Sequence, residues 1–152
     1  MNLETFKKIL SLTPNQTFMH VGHPFGSGVL YTIQETLDNV LVVDAALLAD
    51  EYDLMEIIKQ NKGKSLNVVV IDVNRMLPSI QNAFMREFFF NFPTNFDFAN
   101  SRLILLTNYE YKSGGDPAYA DRELPFMDVC IYDKFVHYYI EKEKSIFTHF
   151  GE

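Results

Sequence analysis

Residues 18–32 read FMHVGHPFGSGVLYT, and this segment decides how the rest of the chain is interpreted. Its apolar start predicts a strand over residues 17–21, and its end predicts a helix over 29–37. The middle supplies the small residues of a tight turn: Gly22, Gly26, Ser27 and Gly28. A strand that turns through glycines into a helix is typical of α/β proteins, whose sites lie at the carboxyl ends of the strands.

The remaining chain alternates short apolar runs with amphipathic segments. Further strands are predicted at residues 39–43, 66–71, 102–106 and 135–140, and further helices at 49–61 and 79–90. The run LNVVVI at 66–71 is apolar at nearly every position, which is typical of a strand buried on both faces of a parallel sheet. We therefore predict one domain over residues 1–152, an α/β three-layer sandwich around a mainly parallel five-stranded sheet.

Composition excludes several classes of function. The 152 residues carry a net charge of −7, which disfavours direct binding to nucleic acid. The chain lacks an apolar run long enough to span a bilayer and a leader-like start, so we expect a cytoplasmic protein without membrane contact. The single cysteine, Cys130, excludes an intrachain disulfide, and its apolar neighbours predict a buried, unreactive thiol.

The order of the polar residues at the strand ends resembles a known family. Asp72 follows the third strand in VVVIDVNRMLPSIQNAFMREF, Asn108 follows the fourth in RLILLTNYE, and ELPFMDVCIYDKFVHYYIE comes next. This series is similar to the core of an AAA+ P-loop ATPase, most of all to its MoxR-like branch. The residues that match the branch's motifs are Asn74, Arg75, Pro78, Gln81, Asn82, Ala83, Leu124, Pro125 and Asp133. The resemblance covers about residues 18–141 and implies a P-loop NTPase-like sheet.

The same resemblance implies that parts of the family's chemistry are missing. A Walker A loop holds phosphates with backbone N–H groups, neutralises them with a Lys and binds Mg²⁺ through a hydroxyl. Aligned on Gly28, the Lys and hydroxyl positions hold Val29 and Leu30. The Walker B Glu position holds Val73, and Lys134 stands where the family has an arginine finger. The short tail SIFTHFGE also leads us to expect no helical lid.

We therefore expect a vestigial phosphate loop rather than a working one. Its residues are Gly22, Gly26, Ser27 and Gly28, accompanied by Asp72 and Asn108. No catalytic residue, no metal ligand and no ATP or Mg²⁺ cofactor is expected. The predicted function is that of a catalytically inactive AAA+-like protein that acts through protein–protein contact. It would be an assembly factor, a regulator or an inactive partner of an ATPase, of the kind that a phage or mobile element encodes.

Two other functions remain open at this stage. Asp44 and Asp72 follow neighbouring strands and together could hold a divalent metal for nucleotide binding or phosphoryl transfer. An Asp at a strand end more often caps the next turn. The other alternative is a replication accessory subunit that resembles inactive clamp-loader subunits. His20 and His23 point to opposite faces of an extended strand, so we expect ordinary hydrogen-bonded histidines there.

The segment EFFFNFPTNFDFAN at residues 87–100 is the clearest candidate for a contact surface. Its phenylalanines crowd into a segment rich in Pro and Asn that has few ways to bury them. Exposed aromatic side chains mark protein interfaces. We expect a protein partner or a second copy of the chain to bind here, through Phe88, Phe92, Phe96 and Phe98.

Overall fold

A computed structural model describes residues 1–110 and 134–142 of the chain. Five strands in these residues form one sheet in the order β2–β3–β4–β1–β5, and every neighbouring pair is parallel. The strands are β1 Phe18–His23, β2 Val40–Asp44, β3 Asn67–Ile71, β4 Arg102–Asn108 and β5 Val136–Tyr139. The predicted α/β sandwich with a parallel five-stranded sheet is confirmed.

Helices cover both faces of this sheet. They are α1 Leu3–Leu12, α2 Val29–Thr36, α3 Glu51–Asn61, α4 Pro78–Met85 and α5 Phe92–Asn95. One turn of π-helix, Arg86–Phe90, follows α4, and 3₁₀ turns lie at Ala45–Leu47, Val73–Arg75 and Phe98–Asn100. Helix α1 was not predicted. The Asn2 side chain caps it by accepting the Thr5 N–H, and its Phe6 and Leu10, four residues apart, are buried on one face.

Alternation along the central strands divides the core into two layers. On one face, Val21 and Ile104 pack with residues of α1 and α2, such as Phe6 and Ile33. On the other face, side chains of β3 and β4 pack with Leu54 of α3 and with the residues that follow β3. Successive residues of a strand point to opposite faces, so the doubly covered strands β3 and β4 must be apolar on both. This explains the continuous apolar runs in the sequence.

The phenylalanine segment belongs to the second layer, and the expectation of an exposed surface there is wrong. Phe88, Phe92 and Phe96 are buried, Phe98 is partly buried against the same core, and only Phe90 is well exposed, at 61%. The Phe18 ring lies at the centre of this packing. Its centroid is 4.9 Å from that of Phe89, 5.9 Å from that of Phe92 and 5.2 Å from that of Phe98.

The backbone at residues 86–91 explains why these phenylalanines are buried. The Asn91 N–H donates to the carbonyl of Arg86 at 2.8 Å, a bond five residues long that widens the helix into a π-turn. The wider turn lets consecutive residues, Phe88 and Phe89, both reach the core. The short helix α5 then returns Phe92 and Phe96 to the same layer.

Several sequence predictions concern residues outside the described ranges. These are the thiol of Cys130, the motif residues Leu124, Pro125 and Asp133, and the tail SIFTHFGE. Within residues 1–110 and 134–142, none of the helices has the length and apolar character that crossing a bilayer requires.

Candidate functional site: the turn after strand β1

The turn at residues 24–28 connects the carboxyl end of β1 directly to helix α2. Gly26 and Gly28 adopt φ values of +65° and +77°, in the left-handed region that a side chain disfavours. Gly28 is also the N-cap of α2. The predicted strand, glycine turn and helix are therefore all present, with the backbone N–H groups of the helix start facing the turn.

The first two residues of helix α2, Val29 and Leu30, are directed into packing. Val29 is 2% exposed and belongs to the layer formed with α1, and Leu30 packs against that same layer. The Val29 N–H donates to the Ser27 hydroxyl at 3.2 Å, and Ser27 Oγ lies 3.1 Å from His23 Nδ1. Ser27 thus accepts the first N–H of α2, a structural use of the one hydroxyl in the turn.

A carboxylate of the chain itself occupies part of the turn. Glu110 Oε1 accepts the backbone N–H of Phe25 at 2.8 Å, and Glu110 Oε2 accepts from Lys142 Nζ at 3.0 Å. The Lys142 ammonium, and after it the Phe25 N–H, hold the pKa of Glu110 below its usual value. An ionised carboxylate therefore lies on an amide of the kind that a phosphate loop offers to its ligand.

Asn108 positions this carboxylate and also fixes the neighbouring strand end. Its side-chain Oδ1 accepts the Glu110 N–H at 3.0 Å, and its carbonyl accepts from Asn74 Nδ2 at 3.0 Å. The Oδ1 atom of Asn74 is buried without a hydrogen-bond partner. Asn108 therefore has a structural role here: it holds the backbone of Glu110 and the side chain of Asn74.

Asp72 lies at the same edge, after β3, in a left-handed conformation with φ +54°. Its carboxylate is 3.9 Å from Arg75 Nη1. Burial, and then the negative charge of Asp44, raise its pKa. The next residue, Val73, is fully buried. The predicted residues at the ends of β1, β3 and β4 are thus brought to one edge of the sheet, without a second carboxylate directly after Asp72.

Asp44 caps a turn, which is a common role for an Asp at the end of a strand. Its Oδ1 accepts the Ala46 N–H at 3.0 Å and caps the 3₁₀ turn Ala45–Leu47. Among residues 1–110 and 134–142, no group of three or more His, Cys, Asp and Glu side chains could hold a metal ion.

His20 lies deeper, on β1, and is 2% exposed. Its Nε2 is 2.7 Å from Thr107 Oγ1 on β4, and its Nδ1 is 3.0 Å from Nδ1 of His137 on β5. Burial, and then the charge of His137, lower its pKa to about 4. The imidazole is consequently neutral at physiological pH, as an ordinary hydrogen-bonded histidine of the core would be.

Sequence reasoning missed Glu110, Lys142 and His137. Glu110 comes two residues after Asn108, and its partner Phe25 is 85 residues away. The only sequence signal was an acidic residue soon after the strand that ends at Asn108.

Beside the turn, a cavity of about 290 Å³ is lined by Leu3, residues 24–27 and residues 140–142. Its one lysine, Lys142, is already paired with Glu110.

Comparisons with known proteins identify the fold. No protein-family model and no curated protein matches the sequence. Among solved structures, the RuvB Holliday junction branch migration motor of Thermotoga maritima is similar, with 14% identity and a TM-score of 0.57. That match covers 93% of this chain and 46% of RuvB. A point variant of the same RuvB matches with 15% identity and a TM-score of 0.56, over 91% of this chain and 45% of RuvB.

The chain has the P-loop NTPase-like α/β fold that RuvB has. It spans less than half the length of the RuvB chains that it matches. In a phosphate loop, a Lys and a hydroxyl residue bind the nucleotide and its Mg²⁺. Val29 and Leu30 supply neither charge nor ligand, and the Phe25 N–H already binds Glu110.

Proposed function

We propose that this chain is a degenerate AAA+-like protein of the MoxR-like branch that does not hydrolyse ATP. It works through protein–protein contact, as an assembly factor, a regulator or an inactive partner of an ATPase. The observation that supports this proposal most strongly is the carboxylate of Glu110 on the Phe25 N–H, inside the turn.

The electrostatics of the turn oppose a triphosphate. A γ- or β-phosphate that approached the Phe25 N–H would meet the ionised carboxylate of Glu110, and like charges a few ångströms apart repel. Lys142 Nζ lies 3.0 Å from Glu110 Oε2, so Glu110 already neutralises this cation. In a working Walker A loop, a Lys attracts the phosphates. The position that aligns with this Lys holds Val29.

Hydrolysis would need more than binding. In P-loop enzymes, catalysis consists almost wholly of positioning and electrostatic stabilisation around the γ-phosphate. The position next to Asp72 carries the buried Val73 instead of a carboxylate that orients water. Lys134 is a point charge without the planar fork of the arginine that it replaces. Each of these changes removes a separate part of the reaction.

Thermal unfolding with and without ligand tests the proposal. A ligand present at about 100 times its Kd stabilises the fold by about 2.7 kcal/mol, which raises the Tm by several degrees. We expect no such shift with millimolar ATP, ADP and Mg²⁺. A clear increase in Tm that disappears in Asp72→Ala would overturn the proposal, because it would show a working nucleotide site.

A charge variant sharpens the same experiment. Glu110→Gln removes the carboxylate from the turn, whereas the matched control Glu141→Gln removes the same charge from an exposed neighbour. If the carboxylate excludes phosphate, any weak stabilisation by ATP appears in Glu110→Gln and not in Glu141→Gln. Equal behaviour of the two variants would mean that Glu110 has no part in excluding nucleotides.

A further inference from the structure

The surface beside strand β2 carries apolar side chains that the core does not use. Val42, Leu47 and Tyr52 are 37%, 76% and 69% exposed. They line one open groove of about 580 Å³ between β2 and helix α3, which we call the β2-edge groove. Single exposed apolar residues are ordinary, but three of them around one groove indicate a contact surface.

The backbone of β2 adds a second feature. β2 is the outermost strand of the sheet, with β3 as its one neighbour among the described strands. The Asn39 carbonyl accepts the Asn67 N–H at 3.0 Å, so residues 39, 41 and 43 bond toward β3. The alternate residues Val40 and Val42 therefore direct their N–H and C=O groups away from the sheet. Such an edge is a template for a further strand.

The charge of the groove selects the partner. Its lining includes Asp44, Asp53 and Glu56, and no Lys, Arg or His residue. We propose that the β2-edge groove binds an extended segment of a different protein, one that carries Lys or Arg beside large apolar side chains and pairs with β2 as an additional strand. This inference rests on the proposed function, since it gives protein contact a place on the fold.

The same charges disfavour two other occupants. A second copy that docked groove to groove would bring the carboxylates of both copies together, and the whole chain carries a net charge of −7. A nucleic acid would bring phosphates to the same carboxylates. A basic apolar segment makes two favourable contacts instead. Its apolar side chains cover Leu47 and Tyr52, and its cations face Asp53 and Glu56.

The experiment uses defined peptides and the whole chain. The probe is a synthetic peptide that carries Lys and Leu in turn on one strand face, with Ser at the alternate positions, and is about as long as an average strand of 5–6 residues. One companion peptide has Glu in place of Lys, and another has N-methyl groups on alternate amides, which removes strand pairing. Amide chemical shifts of the ¹⁵N-labelled protein locate the contact, and fluorescence anisotropy gives the affinity. We expect saturable binding of the Lys peptide alone, with the largest shifts in β2.

Two groove variants and two matched controls decide the outcome. Leu47→Ser removes apolar area and Glu56→Lys reverses a charge, and we expect each to weaken binding by about tenfold, as a loss of about 1.4 kcal/mol predicts. Met55→Ser changes an exposed apolar residue of α3 outside the groove lining, and Glu35→Lys reverses a charge on α2. We expect both to bind as the parent does.

The result overturns the inference if the Lys peptide does not saturate at millimolar concentration, if its shifts map away from β2, or if all four variants bind alike. The nucleotide experiment is independent of these outcomes. Failure of the peptide to bind, together with no effect of ATP on the Tm, rejects this surface and leaves the inactive AAA+-like function standing. A stabilising effect of ATP that disappears in Asp72→Ala rejects that function whatever the peptide does.

Discussion

The turn at residues 24–28 leaves the carboxyl end of strand β1, whereas the segment at residues 86–98 leads into the amino end of strand β4. In the turn, glycines set the backbone conformation, Val29 packs against the core and the Glu110 carboxylate accepts the Phe25 N–H. In the segment, the side chains are buried and the backbone adapts to them through a π-turn.

This difference separates two kinds of sequence pattern. A pattern of glycines constrains φ, so it predicts a conformation even when the neighbouring side chains have changed. A cluster of phenylalanines records a large apolar area that must be covered, but it does not say whether the chain itself or a partner covers it. The following predictions test that separation, from the largest expected effect to the smallest.

The largest effect is expected in the phenylalanine segment. Phe92 is fully buried, and its ring lies 4.7 Å from Phe96 and 5.9 Å from Phe18. Phe92→Ala removes these contacts and leaves a cavity, so we expect the free energy of unfolding to fall by about 3–5 kcal/mol in urea titrations. Phe90→Ala, at an exposed position of the same segment, is the matched control, and a similar loss in both variants would contradict burial of Phe92.

A pH effect of intermediate size is expected from strand β1, which links the two regions. Folding lowers the pKa of His20 from 6.5 to about 4, so between these values the unfolded chain binds more protons than the folded one. The stabilisation is therefore fully present above pH 6.5 and is lost as pH falls toward 4, by up to about 3 kcal/mol at 1.36 kcal/mol per pKa unit.

The His20→Gln variant isolates this contribution from the carboxylates, which also titrate at acidic pH. Its free energy of unfolding, measured from pH 8 to pH 4.5 (roughly the interval between the pKa values above), should fall less steeply than that of the parent. Parallel pH profiles for the two proteins would show that His20 is not held neutral by its burial.

A smaller effect is expected in the turn itself. Gly28 has φ +77°, and a Cβ there would lie 3.5 Å from Leu3 Cδ1, an ordinary contact. The penalty of Gly28→Ala is thus conformational, and we expect a loss of about 1–2 kcal/mol in chemical denaturation. Gly28→Asn is the control, because Asn tolerates the left-handed region better. Equal losses for Ala and Asn would mean that φ is not the cause.

The smallest effect concerns the carboxylate in the turn. Glu110→Gln keeps the size of the side chain and removes its charge, so the hydrogen bond from the Phe25 N–H should weaken. We expect an upfield shift of the Phe25 amide proton and faster amide exchange in NMR spectra, and neither change in Glu141→Gln. An unchanged Phe25 resonance in Glu110→Gln would show that the Glu110 carboxylate does not bind the Phe25 N–H.

The strands could be predicted from the sequence because each is a local pattern. The predicted strands at 39–43, 66–71 and 102–106 differ by only one or two residues at their ends from Val40–Asp44, Asn67–Ile71 and Arg102–Asn108. The positive φ of Gly26 and Gly28 likewise follows from residue type. Both kinds of information are contained within a few neighbouring residues.

The rest depends on contacts between distant parts of the chain. Glu110 and its partner Phe25 are 85 positions apart in the chain. His20 and His137 are 117 positions apart. The burial of Phe88 and Phe92 depends on a π-turn that no propensity predicts. The groove at Leu47 and Tyr52 depends on the position of β2 at the edge of the sheet, which is a matter of strand order.

The π-turn at Arg86–Phe90 has a consequence for comparing this chain with relatives. A bond that spans five residues accommodates one residue more than the regular helical bond would. A related chain that continues α4 as an ordinary α-helix should therefore be one residue shorter here. A correct alignment needs a single-residue gap within residues 86–90, without which every phenylalanine on one side of the turn is matched to the wrong position.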